Sequence, residues 1–262
     1  RLNNMKRQLI SSRGNQHFKH LKKLSESPRY RYEVQQTILD GIHLIESYAQ
    51  RFGSPDSVAL IQGSDINKIS GYLNEETQVL EFPAGLFSEI APVMSPTGIL
   101  ASINIPHLDA PKKQNCILLL EDIQDPGNLG SILRSASASG VDLVYLSDHC
   151  ADLWSPKVLR GGQGAHFYLP CVENAVFSDI TKAFEGKIFA TELTGKSIFK
   201  ENLKGPVAFI FGNEGSGLQS ETIGLTSHSI HIPMEIGIES LNVSAAVSIC
   251  LYEKYRQENF SA

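Results

Sequence analysis

No run of apolar residues in this 262-residue chain reaches the roughly 18–20 needed to span a bilayer as a helix, so no membrane association is expected. The first 23 residues carry positive charges without an apolar core, which is not a signal-peptide pattern. Met5 is a candidate native start. Cysteine is sparse: the four (Cys116, Cys150, Cys171, Cys250) form no CxxC pair. Neither a zinc site nor a disulfide framework is expected, and a reduced, cytoplasmic protein is the simplest reading. His149 and His166 have no metal-ligand partners near them in sequence, so no metal is assigned. There is no internal repeat and no low-complexity tract. Hydrophobic residues at 42% and charged residues at 19% are an ordinary globular balance.

An excess of positive charge is also missing: the formal net charge is −5. Its distribution is uneven. Residues 1–35 hold nine Lys/Arg (Arg1 and Lys6 among them) against two acids, a balance of +7 that leaves −12 for the rest. A basic arm on an acidic body suits contact with a polyanion. A solvated first helix would have the same composition.

Helical spacing of apolar residues predicts helices over 15–24 and 33–48, the second with Val34, Ile38, Ile42 and Ile45 as its stripe. Short β-rich runs follow at 57–62, 77–82 and 98–105. A small α/β domain is therefore expected over residues 1–105. A polar stretch with two prolines over 106–115 reads as a linker. From 116 to 262 the pattern becomes regular. CILLLE (116–121) is a continuous apolar run, as for a strand buried on both faces. Further strands are predicted at 142–147, 167–172, 187–191, 206–211 and 229–234, with helices over 129–140 and 240–258. Alternation of this kind means a mainly parallel sheet with helices on both faces.

Three loop stretches stand at strand ends, where open α/β sheets bind ligands. The first, DPGNLG (125–130), offers Asn128 as a helix N-cap, with Arg134 further along a small-residue helix. The second is FGNEGSG (211–217). A dinucleotide fingerprint would need glycine where Glu214 stands, and the lysine of a Walker loop is missing. A carboxylate beside a phosphate is repulsive, so this loop suits something neutral or cationic. The third, IPMEIGIESLNVS (232–244), has Ser240 as a candidate N-cap of the last helix.

Together these stretches resemble the three motifs of SpoU-type (TrmH-family) RNA ribose 2′-O-methyltransferases of the SPOUT superfamily: NLGSILRSA (128–136), FIFGNEGSGL (209–218) and IPMEIGIESLNVSAAV (232–247). KVLRGGQGAHF (157–167) matches a further family stretch, and the likeness covers about residues 116–257. The third motif has its glycine at 237, one place late, and GGQ (161–163) replaces smaller residues. More weakly, the N-terminal region resembles a ribosomal-protein-like RNA-binding domain.

The resemblance implies an S-adenosylmethionine-dependent enzyme. Its catalytic domain would be α/β, a SPOUT-type parallel sheet with a deep trefoil knot, working as a homodimer through the C-terminal domain. By position, Gly212, Ile232 and Leu241 would give main-chain contacts to the cofactor, and Leu193, Asn213, Gly217 and Met234 would line its pocket. Arg134, Asn128, Glu214, Ser240 and Asn242 would be the catalytic set, with Glu214 orienting Arg134 or Asn128. Ribosomal RNA, 23S in particular, is the favoured substrate, for a housekeeping or an antibiotic-resistance enzyme. The alternatives are a tRNA 2′-O-methyltransferase and a catalytically inactive RNA-binding or ribosome-assembly protein. A dinucleotide oxidoreductase is disfavoured by Glu214.

Overall fold

The computed structural model describes residues 7–93, 96–226 and 228–260. Met5, Arg1 and Lys6 lie outside the described residues. The chain divides into two compact units: Arg1–His107 with Trp154–Phe167, and Leu108–Leu153 with Tyr168–Ala262.

The first unit begins with β1 (Arg7–Leu9) and α1 (Gln16–Glu26). Asn15 caps α1 by accepting from the His17 amide at 2.8 Å, and the helix buries Phe18, Leu21 and Leu24. A second helix, α2 (Pro28–Val34), stops where Gln35 takes the left-handed conformation at φ 54°. Then comes β2 (Gln36–Asp40), followed by α3 (Ile42–Phe52). The single helix expected over 33–48 is therefore two helices with a strand between them. Residues 36–40 are a β-rich run whose backbone pairs antiparallel with β5 (Ile99–Asn104), Thr37 opposite Ile103. A ladder to a distant segment outweighs the local helical spacing of Ile38 and Ile42. With β3 (Ser57–Ile61), β4 (Gln78–Phe82) and α4 (Ala84–Ile90), the sheet order is β1-β4-β3-β5-β2. Phe18, Leu21 and Leu24 pack on Ile38, Ala59, Leu80 and Leu100 to form the core of its α1-covered face.

The second unit starts with β6 (Cys116–Leu120), α5 (Pro126–Ala138) and β7 (Leu143–Leu146). The next helix, α6 (Pro156–Gly162), lies in the segment that groups with the first unit. There the Trp154 carbonyl accepts from the Thr37 hydroxyl at 2.7 Å, and Phe167 packs edge-on to Tyr48. Arg160 faces the buried Asp40 carboxylate at 3.7 Å. This stretch was expected within the C-terminal domain, and its contacts are instead with residues 37–52. His166 is buried there against the Trp154 ring.

The chain returns through β8 (Cys171–Val172), α7 (Phe177–Ala183), β9 (Lys187–Ser197), β10 (Val207–Phe211), α8 (Ser220–Ile223), β11 (His228–His231) and α9 (Val243–Asn259). The strand expected over 167–172 shrinks to two residues, because 165–167 form a 3-10 turn and Pro170 has no amide to donate. The sheet is parallel throughout, in the order β11-β9-β10-β6-β7-β8. Every residue of the central pair β6 and β10 is buried, as the continuous apolar runs require. Among the described residues no helix is long and apolar enough to cross a membrane.

Candidate active site

The site forms beyond the carboxyl ends of β6, β9 and β10. The loop after β10 is self-fastened. Asn213 and Gly217 exchange backbone hydrogen bonds at 3.1 and 3.0 Å, while the Asn213 side-chain oxygen accepts from the amides of Gly215 and Ser216. The Asn213 amide group donates to the Asp122 carbonyl at 2.8 Å, which fixes the loop to the end of β6. A Cβ on Gly212 would stand 2.3 Å from the Gly217 carbonyl carbon, so this position is closed to any side chain. Glu121, buried at the end of β6, accepts from the Gln219 amide at 2.8 Å and from the Thr222 hydroxyl. Sequence reasoning passed over Glu121 and Asp122. A buried acid closing an apolar strand was the available signal.

The strand β9 supplies another wall. It runs six residues past its expected end, and its pairing with β11 jumps from Ser229–Ala190 to Ile230–Lys196. Residues 191–195 leave the ladder at that jump. Gly195 lies against the backbone of Ser229 and Ile230, where a Cβ would stand 2.4 Å away. Thr191, Glu192, Leu193 and Thr194 thereby face a cleft of about 530 Å³.

All seven residues assigned to the cofactor face this one cleft. Leu193 comes from the β9 bulge, Gly212, Asn213 and Gly217 from the fastened loop, and Ile232, Met234 and Leu241 from the stretch before α9. Glu214 and Ser240 line it as well. So does Cys250, whose thiol is pushed up to about 12 by burial and is inert at neutral pH. Glu192, Glu214 and Glu239 contribute carboxylates, whereas no lysine or arginine lines the cleft among the described residues. Neither Glu192 nor Glu239 was singled out from the sequence, the first lying outside the three motifs and the second inside the third without an assigned role.

A polar chain runs beside the cleft. The Asn128 side-chain amide donates to the Glu214 carboxylate at 3.1 Å, and the Asn242 amide donates to the Asn128 side-chain oxygen at 2.9 Å. Two expected caps are corrected. Asp125, not Asn128, caps α5, accepting from the Asn128 amide at 2.7 Å. Pro126, with its fixed φ and no amide hydrogen, suits the first helical position and sets the start there. Asn242, not Ser240, caps α9 through the amides of Ser244 and Ala245. Both asparagines are thereby held at helix starts with a side-chain group left to meet the other.

Arg134 lies on α5, exposed, and makes no hydrogen bond or ion pair among the described residues. Glu214 therefore meets Asn128 and not Arg134. Ser240 is exposed, with no hydrogen-bond partner among the described residues. Asp122, Asp148 and His149 cluster closely enough to hold a cation, but Asp148 and His149 are exposed and Asp122 is engaged by Ser147 and Gln219.

The fastened bare-backbone loop, the apolar walls and the carboxylate rim fit a large cationic cofactor with a flat apolar part. S-adenosylmethionine is such a molecule. The cleft stands at the strand ends of a parallel sheet, where open α/β folds bind such cofactors, with the linked asparagines Asn128 and Asn242 at its Glu214 edge. The chain belongs to the SpoU rRNA methylase family, whose model matches residues 115–252.

The 23S rRNA (guanosine(2553)-2′-O)-methyltransferase RlmP of Bacillus subtilis is 32% identical over 93% of this chain and 97% of its own. An uncharacterized tRNA/rRNA methyltransferase of Synechocystis is 31% identical over 95% of this chain and 94% of its own. Among solved structures, an RNA 2′-O ribose methyltransferase superposes with a TM-score of 0.83 at 27% identity, covering 96% of this chain and 99% of that one. The SpoU methyltransferase AviRb of Streptomyces viridochromogenes, solved in complex with AdoMet, shares the fold with a TM-score of 0.84 at 23% identity over 95% of this chain and 100% of that one.

Proposed function

We propose that the protein methylates a ribose 2′-hydroxyl of 23S ribosomal RNA, using S-adenosylmethionine held in the cleft below Glu214. The observation that carries this reading is the Glu214–Asn128–Asn242 chain, which places polar groups of all three motifs beside a carboxylate-lined cleft. When bound, the cofactor supplies an electrophilic methyl group and becomes a neutral thioether. The backbone of Gly212, Ile232 and Leu241 holds it, with Leu193, Asn213, Gly217 and Met234 around it. Carboxylates at the rim favour its positive charge.

A guanidinium offers five donors and no acceptor, so Arg134 is assigned to anion binding and not to taking the hydroxyl proton. Having no partner among the described residues, it is open to the phosphate beside the target ribose. Asn242 holds the substrate-facing loop through its cap and its bond to Asn128, and Ser240, exposed, is open to the same phosphate. Asn128, bonded to Glu214 and to Asn242, shapes the first loop. Positioning of the hydroxyl against the methyl group supplies much of the rate in such a displacement.

The strand order β11-β9-β10-β6 supports a knotted return of the chain through 191–241. The exposed aromatics Tyr252, Tyr255 and Phe260 on and after α9 support a homodimer through the C-terminal unit. The N-terminal domain, through its basic first 35 residues, recruits the RNA, residues 106–115 link it onward, and the protein works in the cytoplasm. Mass-spectrometric mapping of 2′-O-methyl groups in ribosomal and transfer RNA from a deletion strain tests the proposal. One methyl group should vanish from 23S rRNA and return on complementation. A loss confined to tRNA would reassign the substrate, and no loss from either would reject the activity.

A further inference from the structure

A second cavity, of about 200 Å³, lies wholly within the first unit, under the N-terminal half of α1. It arises from a change in the sheet face that α1 covers. Leu80, Ala59 and Leu100 form a buried apolar register row. One row on, Gln78, Ser57 and Ser102 replace them, and the two serine hydroxyls hydrogen-bond at 2.8 Å. Apolar packing of α1 ends there, and a polar cavity opens.

Its polar groups are arranged and not merely adjacent. Asp56 accepts from the side-chain amides of Gln36 and Asn104, each at 3.2 Å, and Gln36 also donates to Asn104. His17 and His20 close the cavity from α1, and the His20 ring is fixed by its contact with the Tyr30 hydroxyl at 2.9 Å. Burial holds the His20 imidazole below its ordinary value, so it is neutral near pH 7 and offers an uncharged ring face. No lysine or arginine lines the cavity among the described residues, which argues against phosphate as its occupant. Its volume is below the roughly 300–1,000 Å³ of sites for drug-sized ligands, and suits one small planar group. Amides, a carboxylate and imidazole faces are the groups that read and flank unstacked bases. On the solvent side of α1, Lys19 and Lys23 lie exposed four residues apart.

We propose that this cavity takes a single unpaired nucleobase of the RNA substrate, read at its hydrogen-bonding edge by Asp56, Gln36 and Gln78 between the His17 and His20 rings. The neighbouring phosphates lie on Lys19 and Lys23. The inference rests on the reading of the protein as an RNA methyltransferase and adds a base-selective subsite remote in sequence from all three motifs.

The test uses the full-length protein and fluorescein-labelled pentanucleotides UUXUU, with X each of the four bases, in anisotropy titrations. One base should bind tighter than the others by on the order of tenfold. Asp56→Asn should abolish that preference. Lys19→Ala should weaken all four ligands alike and flatten the salt dependence. Gln78→Leu, at an exposed position, gives the same readout if Asp56→Asn lowers the melting temperature.

Equal binding of the four ligands, or a preference that survives both Asp56→Asn and Gln78→Leu, overturns the subsite. Methyl transfer to ribosomal RNA is measured in parallel on the same preparations. Transfer without base preference removes the subsite and keeps the methyltransferase reading. Base preference without transfer keeps a base-binding cavity and removes the reading it rests on.

Discussion

The Asn242 side-chain amide donates to the Asn128 side-chain oxygen at 2.9 Å, across 114 residues of chain, while the Asn242 oxygen caps α9. One side chain thus serves stability with one atom and the site with the other. The two roles can be separated. Asn242→Asp keeps an oxygen for the cap but loses the donor to Asn128, whereas Asn242→Ala loses both. The alanine variant should lose about 1 kcal/mol of stability and most of its methyl transfer. The aspartate variant should melt close to wild type and still transfer methyl groups at least about tenfold more slowly, the usual scale for one lost hydrogen bond to a charged or catalytic group. Thermal melts paired with a tritium-transfer assay read both. Equal activity of Asn242→Asp and wild type would show that the bridge is only structural.

Arg134 stands exposed on α5, six residues after Asn128. Arg134→Ala should abolish methyl transfer while S-adenosylmethionine affinity, followed by calorimetry, changes by less than about twofold, because the cofactor cleft lacks contact with it. Arg134→Lys should retain part of the activity as a point charge on phosphate, short of the bidentate grip of a guanidinium. Wild-type turnover by Arg134→Ala would remove its assigned role.

Gly212 has no room for a methyl group, since the Gly217 backbone lies 2.3–2.5 Å from where its Cβ would be. Gly212→Ala should open the fastened loop and cost cofactor binding before it costs the fold. Calorimetry should find binding weakened beyond about tenfold, with far-ultraviolet circular dichroism unchanged. Gly215→Ala, whose Cβ would meet only the Asn213 side chain at 3.5 Å, is the matched control and should bind normally.

The carboxylate rim should discriminate charge. Glu192 and Glu239 face the cleft, and each contributes roughly 1 kcal/mol or less toward a nearby cation at water-like permittivity. Glu192→Gln or Glu239→Gln should therefore narrow the preference for S-adenosylmethionine over the neutral demethylated product by up to about fivefold. Competitive calorimetry measures the ratio. A ratio unchanged in both variants would mean that solvent screens the rim completely.

Burial raises the Cys116 and Cys250 thiols from an ordinary value near 9 to about 12. The folded state therefore keeps protons that the unfolded state releases. Stability from these groups is complete below pH 9 and is lost as pH rises toward 12. Urea midpoints should fall across that window, less steeply in Cys250→Ala than in wild type. Iodoacetamide at pH 8 should leave both thiols unmodified until the chain unfolds.

The sequence alone determined the parallel α/β half of this protein and pointed to residues that line one cleft. Runs such as CILLL and VAFIF are apolar at every position, and only a strand covered on both faces can use them. Glu214 in a glycine loop argued against a phosphate cradle before any contact was known. The three motifs carried the remaining site residues.

Tertiary structure decided the rest. Residues 36–40 are a strand because β5 offers a ladder, and periodicity carries no record of a partner more than 60 residues away. The segment 154–167 joins the first unit because Phe167 and Trp154 meet residues 37–52 there, which no local pattern reveals. The caps fell to Asp125 and Asn242 where candidates a few residues off were equally good by type, so geometry chose between them. Which polar side chain faces Glu214 was settled the same way, in favour of Asn128 over Arg134. Local chemistry names the groups a site can use, and only the path of the backbone fixes which of them lie within hydrogen-bond reach.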